Sequence, residues 1–112
     1  MLNKRVGNVG EAMAVNFLKD KGYKIVELNY ANKIGEIDII ASDKGTLVFV
    51  EVKSRSSDKF GLGREAVDLH KQNKLRLVAQ GYLKYKKLFD VSCRFDVIEI
   101  MGEKITHIEN AF

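Results

Sequence analysis

The chain has 112 residues, of which 46% are hydrophobic. This length is enough for one domain and too little for two, and the hydrophobic share allows a buried core. A single domain over residues 1–112 is therefore expected. A formal net charge of +4 permits contact with a phosphate backbone without requiring it. The lone Cys93 excludes an internal disulfide or a zinc site of several thiolates and is expected to be a small core residue.

Targeting signals are not predicted. Residues 1–10 contain no apolar stretch typical of a signal peptide, and no segment is long and apolar enough for a membrane span. A cytoplasmic protein without a membrane partner is therefore expected.

The first predicted element is a helix from about Val9 to Lys21, followed by Gly22, a residue typical of helix C-termini. One face of this helix should point toward a sheet, because its residues recur at intervals of three and four: Glu11, Ala14, Val15 and Leu18.

The remaining elements are predicted from apolar patterns and turn residues. Three strands are expected, with a two-residue hairpin turn at Asp43-Lys44 between the second and third: Tyr23–Tyr30, Gly35–Ala41 and Thr46–Lys53. A loop over Ser54–Gly63, a helix over Arg64–Lys87 that Gly81 bends or ends, and two strands over Cys93–Met101 and Lys104–Ile108 follow. The order α-β-β-β-α-β-β predicts an α/β fold in which helices flank a central mixed sheet.

The hairpin is predicted to place charged side chains on one face. Residues two apart in a strand share a face, so Glu51 and Lys53 point the same way. The predicted turn pairs Asp38 with Phe49 and Glu36 with Glu51, which makes Asp38 and Glu51 diagonal neighbours about 7 Å apart. Two carboxylates at that distance can reach one cation.

The apolar surroundings of these acids favour a metal site. Asp38 and Glu51 lie in strands with apolar residues on both faces, a pattern typical of covered strands. Buried carboxylates lose hydration and repel each other unless a positive charge compensates. Mg²⁺ prefers oxygen ligands, and Glu11 would supply a third acid from the first helix. The competing interpretation is an exposed sheet face on which Glu51 and Lys53 pair weakly.

The motifs resemble the YraN-like family of uncharacterised bacterial proteins. The matching segments extend over nearly the whole chain: Gly10-Glu11, Gly22-Tyr23, Asn29-Tyr30, Gly35 to Ala41, Val48 to Arg55, Phe60-Gly61, Glu65-Ala66-Val67, Lys71 and Arg94 to Ile98. That family is similar to restriction-endonuclease-like folds of the PD-(D/E)XK superfamily and, in motif order, to archaeal Holliday junction resolvases. The resemblance implies a nuclease-like core with Glu11, Asp38, Glu51 and Lys53 at its metal site.

The corresponding hypothesis is an endonuclease that hydrolyses phosphodiester bonds, in DNA of branched or otherwise structured form. Asp38, Glu51 and Glu11 would hold Mg²⁺, with Mn²⁺ as an alternative, and Lys53 would orient water or stabilise negative charge. Glu36 is an accessory candidate. Enzymes that cut two strands often act as symmetric dimers, so a homodimer stays open.

Basic residues around these acids suggest contacts to a phosphate backbone. The candidates lie after the third strand and on the second helix: Arg55, Lys59, Arg64, Lys71 and Lys74. The equally weighted alternative for Lys71 is a packed stem with a solvated ammonium group. His70 and His107 are expected to be structural or solvent-facing.

Two further functions remain open at this point. One is a nucleic-acid-binding module that keeps the nuclease fold without cutting, and the other is a scaffold in a larger complex. The complete set of Glu11, Asp38, Glu51 and Lys53 favours the nuclease.

Overall fold

In a computed structural model, which describes residues 9–55 and 67–112, the predicted order of elements is confirmed. The described residues form two helices and five strands, with these bounds: α1 Val9–Asp20, β1 Lys24–Ala31, β2 Glu36–Asp43, β3 Thr46–Arg55, α2 Leu69–Lys86, β4 Cys93–Met101 and β5 Lys104–Ile108.

The five strands form one mixed sheet in the order β1-β2-β3-β4-β5. Neighbouring strands are antiparallel except for β3 and β4, which are parallel. A parallel pair needs a long crossover connection, and α2 lies in the one that joins β3 to β4. The predicted mixed sheet is therefore confirmed.

The core has two layers, one on each face of the sheet. Leu18 of α1 packs in a cluster with Val50, whereas Val78 and Tyr82 of α2 pack in a separate cluster with Phe49. Because Phe49 and Val50 are consecutive in β3, they point to opposite faces. The helices thus cover both faces, as the α/β prediction requires.

The hairpin turn differs from its prediction. It lies at Lys44-Gly45, and β2 continues to Asp43, which pairs with Thr46. Lys44 and Gly45 have φ angles of 52° and 90°, and positive φ at both central residues is characteristic of a type I′ turn. The predicted turn at Asp43-Lys44 was wrong because it left the glycine, which tolerates positive φ most easily, in the strand.

The pairing of β2 with β3 is consequently shifted by two residues. Phe49 pairs with Ile40 and not with Asp38, and the predicted pairing of Glu36 with Glu51 does not form. Because side chains alternate with a period of two, an error of two residues does not by itself turn a side chain to the other face. Alternation is nevertheless broken in β2, since Ile37 packs in the α2 cluster with Ile40 whereas Ile39 packs in the α1 cluster.

Helix α2 also begins later than predicted. Val67 and Asp68 are not helical and the helix starts at Leu69, so the predicted start at Arg64 was wrong. Asp68 is the N-cap, and its carboxylate accepts a hydrogen bond of 2.8 Å from the backbone N–H of Lys71. This contact satisfies a donor that the first helical turn leaves unpaired.

Gly81 neither ends nor interrupts α2, which continues to Lys86. A Cβ atom at this position would lie 2.8 Å from Nδ2 of Asn32. Gly81 therefore serves close packing between the helix and the β1–β2 connection, and it is not a helix breaker here.

Two other predictions need correction. Ser54 and Arg55 belong to β3 and not to a loop; the rest of the predicted loop, residues 56–63, lies outside the described residues. Cys93 is exposed at the start of β4 and is not a core residue. Over residues 9–55 and 67–112, no helix is both long and apolar enough to cross a membrane.

Candidate metal centre

Asp38 of β2 and Glu51 of β3 form a carboxylate pair. The ladder between the two strands extends as far as Ile39 and Val50. Beyond it, the backbone N–H of Val52 donates a 2.8 Å hydrogen bond to Oδ2 of Asp38. The Asp38 side chain therefore ends the ladder and is held against β3, where the Glu51 carboxyl group is its hydrogen-bonding neighbour.

The two carboxyl groups are poorly hydrated. Glu51 is only 6% exposed, so the interpretation of an exposed sheet face does not apply to it. Burial, followed by the charge of Glu51, raises the pKa of Asp38 from 3.8 to about 7, against the opposing hydrogen bond from Val52. A shift of this kind marks a site where negative charge is concentrated and a bound cation would be favourable.

Two lysine side chains neutralise Glu51. Nζ of Lys71 lies 2.6 Å from Oε2 of Glu51, and Nζ of Lys53 lies 3.4 Å from the same oxygen. Burial lowers the pKa of Lys71, but its hydrogen bond to Glu51 and the charge of that carboxylate outweigh burial and raise the pKa above 10.5. Lys71 is therefore positively charged near neutral pH.

A cavity of about 220 Å³ opens at this cluster. Acidic groups line it from the sheet and basic groups from α2, with apolar side chains beneath them: Gly35, Glu36, Asp38, Glu51, Lys71, Lys74, Leu75 and Val78. The structure therefore brings the accessory candidate Glu36 and the phosphate-contact candidates Lys71 and Lys74 to the carboxylate pair.

Glu11 is not among the described residues that line the cavity. It is buried in the first turn of α1 at 7% exposure, and its charge is the smallest of the five contributions to the pKa of Asp38. Among the described residues, no group of three or more His, Cys, Asp or Glu side chains is placed to hold a metal ion. The geometry therefore brings together two of the three predicted ligands.

A pair of carboxylates nevertheless fits Mg²⁺. Mg²⁺ keeps several water ligands and is commonly held by one or two carboxylates together with phosphate oxygens of a substrate. Asp38 and Glu51 are adjacent oxygen donors, and the burial of Asp38 together with the repulsion between the two carboxylates makes a bound cation favourable.

Arg55 occupies a different environment from the one predicted. Its Nε lies 2.9 Å from Oε2 of Glu99, and the side chains are 13% and 4% exposed. The contact is electrostatic, because neither atom has a well-directed hydrogen bond within the described part of the chain. The guanidinium group is thus already paired with an acid of β4. Lys59 and Arg64 lie outside the described residues.

Sequence reasoning missed a buried polar network around Asp96. Asp96 of β4 is fully buried and accepts hydrogen bonds from Nε of Arg94 at 3.0 Å and from the backbone N–H of Asn110 at 3.0 Å. Its Oδ2 also lies 2.7 Å from Nε2 of His107. The expectation of a structural role for His107 agrees with this contact, and His70 is exposed.

The signal for Asp96 was present in the sequence. It is an acid between Phe95 and Val97, the same kind of apolar setting that identified Asp38 and Glu51. The sequence could not indicate the network around Asp96, because its members come from distant segments. Arg94, for example, also contacts Asp43 and Tyr23.

Comparison with known proteins identifies relatives over the whole chain. A family described as "Uncharacterised protein family UPF0102" matches residues 10–100. The chain belongs to this family. Full-length relatives include UPF0102 proteins of Alkaliphilus oremlandii, 50% identical and covering 99% of this chain and 100% of that protein, and of Clostridioides difficile, 50% identical with complete coverage of both chains.

A further UPF0102 protein, from Thermodesulfovibrio yellowstonii, is 49% identical, and the alignment covers 100% of this chain and 99% of that protein. The match confirms the family resemblance that the motifs predicted. The family and its named members carry no activity in their descriptions, so a function has to be argued from the site.

Proposed function

We propose that this protein is a divalent-metal-dependent endonuclease that hydrolyses phosphodiester bonds in DNA, with branched or structured DNA as the substrate class. The observation that supports this most is the pair of poorly hydrated carboxylates, Asp38 and Glu51, in one cavity with the ammonium groups of Lys71 and Lys74. Acids that hold a cation and lysines that bind phosphate can both stabilise the transition state of phosphodiester hydrolysis.

Each residue has a role that follows from its position. Asp38 and Glu51 would hold Mg²⁺, which when bound supplies Lewis acidity toward phosphate and water. Lys53, with its Nζ 3.4 Å from Oε2 of Glu51, would stabilise negative charge that develops on the phosphate. Lys71 and Lys74 would bind phosphate oxygens on the α2 side of the cavity.

Glu11 would act from outside the cavity. Its buried charge adds to the negative potential at Asp38, which favours a cation there without a direct bond. In this proposal Glu11 is a positioning residue and Glu36, on the cavity wall, is an accessory acid.

A nuclease assay with matched variants tests the proposal. Linear, single-stranded and four-way-junction DNA would be incubated with the protein and Mg²⁺ or Mn²⁺, and then with a chelator. Asp38→Asn and Glu51→Gln should each lower cleavage by at least about 100-fold, and Glu103→Gln, an exposed acid in the β4–β5 turn, should leave it unchanged. Cleavage that persists in Glu51→Gln would contradict this site.

A non-catalytic nucleic-acid-binding module is the second candidate, and one observation favours it. Lys71 and Lys53 already neutralise Glu51, so the carboxylate is satisfied without a metal ion. Binding of DNA with no cleavage of any substrate in either metal would support this candidate over the nuclease. Absence of both binding and cleavage at low salt would support a scaffold role.

A symmetric homodimer belongs to the nuclease proposal, because the two strands of a junction require two active sites. Analytical ultracentrifugation with and without junction DNA would measure it. A single protomer bound per junction under cleavage conditions would contradict a dimeric mechanism.

A further inference from the structure

Lys71 is the positive group closest to Glu51 within the described part of the chain. Its Nζ lies 2.6 Å from Oε2, compared with 3.4 Å for Lys53. The Lys71 side chain is 42% exposed and that of Lys53 is 25% exposed. The closer ammonium group is therefore also the one with freer access to solvent.

The backbone of Lys71 is fixed while its side chain can move. Lys71 lies in the first turn of α2, where its N–H bonds to the Asp68 N-cap at 2.8 Å. The ammonium group sits at the end of a flexible four-carbon stem. It can therefore leave Glu51 without any displacement of the helix.

A divalent cation held by Glu51 would repel the ammonium group of Lys71, 2.6 Å from Oε2, more strongly than that of Lys53, which lies 3.4 Å away. A divalent cation carries twice the charge and is the better partner for a carboxylate pair. Once free, the Lys71 ammonium remains in a cavity that Lys74 also lines.

We propose that Lys71 is a built-in counter-ion, which a divalent cation displaces from Glu51 and which then binds a phosphate oxygen of the nucleic acid. This inference rests on the proposed function and adds a regulatory step to it. The exchange makes the binding of metal and of nucleic acid mutually favourable, because Lys71 can serve only one negative partner at a time.

Calorimetric titration with Mn²⁺ tests the displacement. Lys71→Met should bind Mn²⁺ about 10-fold more tightly than the natural protein, within the usual range of coupling between sites. Lys74→Met is the matched control, since it removes the same charge from the same cavity but, among the described residues, breaks no ion pair with Glu51. The Mn²⁺ affinity of Lys74→Met should increase only about twofold to threefold, because a positive charge has been removed from the cavity.

The phosphate contact needs a second measurement. Fluorescence anisotropy with labelled junction DNA, with and without Ca²⁺, should show that Ca²⁺ strengthens binding by the natural protein about 10-fold. In Lys71→Met the strengthening of DNA binding by Ca²⁺ should largely disappear. Lys74→Met should bind DNA more weakly both with and without Ca²⁺, but Ca²⁺ should still strengthen its binding about as much as in the natural protein. An equal gain in the natural protein and Lys71→Met would overturn the phosphate contact.

The two proposals fail in different ways. Equal Mn²⁺ affinity in the natural protein and Lys71→Met, or an equal increase in Lys74→Met, would overturn the displacement while leaving the metal centre intact. Loss of Mn²⁺ binding in Glu51→Gln shows that the ion occupies the proposed centre. If the natural protein and Lys71→Met both fail to bind Mn²⁺, the metal centre is wrong and the displacement is overturned with it.

Discussion

Single side chains in this protein carry charge into places that water reaches poorly, and each one is compensated differently. Asp38 shares its surroundings with Glu51 and has a pKa raised to about 7 by burial and by that neighbour. Asp96 is fully buried, yet hydrogen bonds from His107 and Arg94 outweigh its burial and lower its pKa. The charged form of Asp38 is therefore disfavoured and that of Asp96 is stabilised. Removing the two charges should change the stability of the protein in opposite directions.

Asp38→Asn should stabilise the metal-free protein by about 1–2 kcal/mol at pH 8, because it removes a charge that is buried and is repelled by a second carboxylate. The folded state binds the Asp38 proton more tightly than the unfolded state. The free energy of unfolding of the natural protein should therefore fall as pH rises from 3.8 to about 7. Urea unfolding should show the advantage of the variant growing from pH 5 to pH 8.

The exposed Asp90 offers the control for that experiment, since Asp90→Asn should change stability little at either pH. A destabilised Asp38→Asn at pH 8 would show that the carboxylate contributes to the fold and is not strained.

Asp96→Asn should destabilise the protein by about 2–3 kcal/mol, because it leaves the partly buried charge of Arg94 less well paired. The lowered pKa of Asp96 means that its contribution is fully present above the unfolded value of 3.8 and is lost as pH falls through the lower folded value. The destabilisation measured by urea unfolding should therefore be constant near neutral pH and shrink in acid.

Asp43→Asn provides a comparison within the same network. Asp43 also contacts Arg94, at 3.1 Å, but its side chain is 25% exposed. Asp43→Asn should therefore lower the free energy of unfolding by less than Asp96→Asn does, by below about 1 kcal/mol, as is usual for more solvated ion pairs. Equal losses at the two positions would contradict the special position of Asp96.

At the scale of elements, the hairpin and the start of α2 position the candidate site. The hairpin sets Asp38 beside Glu51, and the N-cap at Asp68 fixes the first turn from which Lys71 reaches Glu51. Both features depend on local backbone conformations, a type I′ turn and a helix cap, and substitutions in the turn can test its register.

Lys44→Asn should stabilise the protein by about 0.5–1 kcal/mol, because Lys44 has a φ angle of 52° and asparagine tolerates this region better. Gly45→Ala should cost about 1 kcal/mol or more, since φ is 90° there. Thermal unfolding monitored by circular dichroism would measure both. If Gly45→Ala were stabilising, Gly45 would have to be an ordinary strand residue, as the turn at Asp43-Lys44 requires.

At the scale of the whole molecule, one sheet connects two core layers. Leu18 and Val78 are both fully buried, one in the α1 layer and the other in the α2 layer. The strands between them contribute alternate residues to each layer, so neither layer can come apart without disturbing the sheet. We therefore expect both layers to unfold together.

Leu18→Ala should cost about 3–4 kcal/mol and Val78→Ala about 2–3 kcal/mol, by loss of buried hydrocarbon and formation of a cavity. Both variants should lower the urea midpoint with an unchanged slope, and far-ultraviolet circular dichroism and tyrosine fluorescence should give one transition. Transitions that separate between the two signals would contradict a single cooperative unit.

The sequence alone determined the fold class and the face on which the acids lie. Alternation in β2 and β3 fixed Asp38, Glu51 and Lys53 on the same side, and this survived a register error because the error was two residues. The first helix was predicted to within one residue of its end, since local spacing and Gly22 carry that information.

Tertiary structure decided which groups meet. It brought Lys71 to Glu51 across 20 residues of chain, held Glu11 in the first turn of α1 outside the cavity, and assembled the partners of Asp96 from distant segments. These contacts depend on which strands pair and on how each helix packs against the sheet. Such long-range geometry has no local periodicity in the sequence, whereas the direction of each side chain along a strand does.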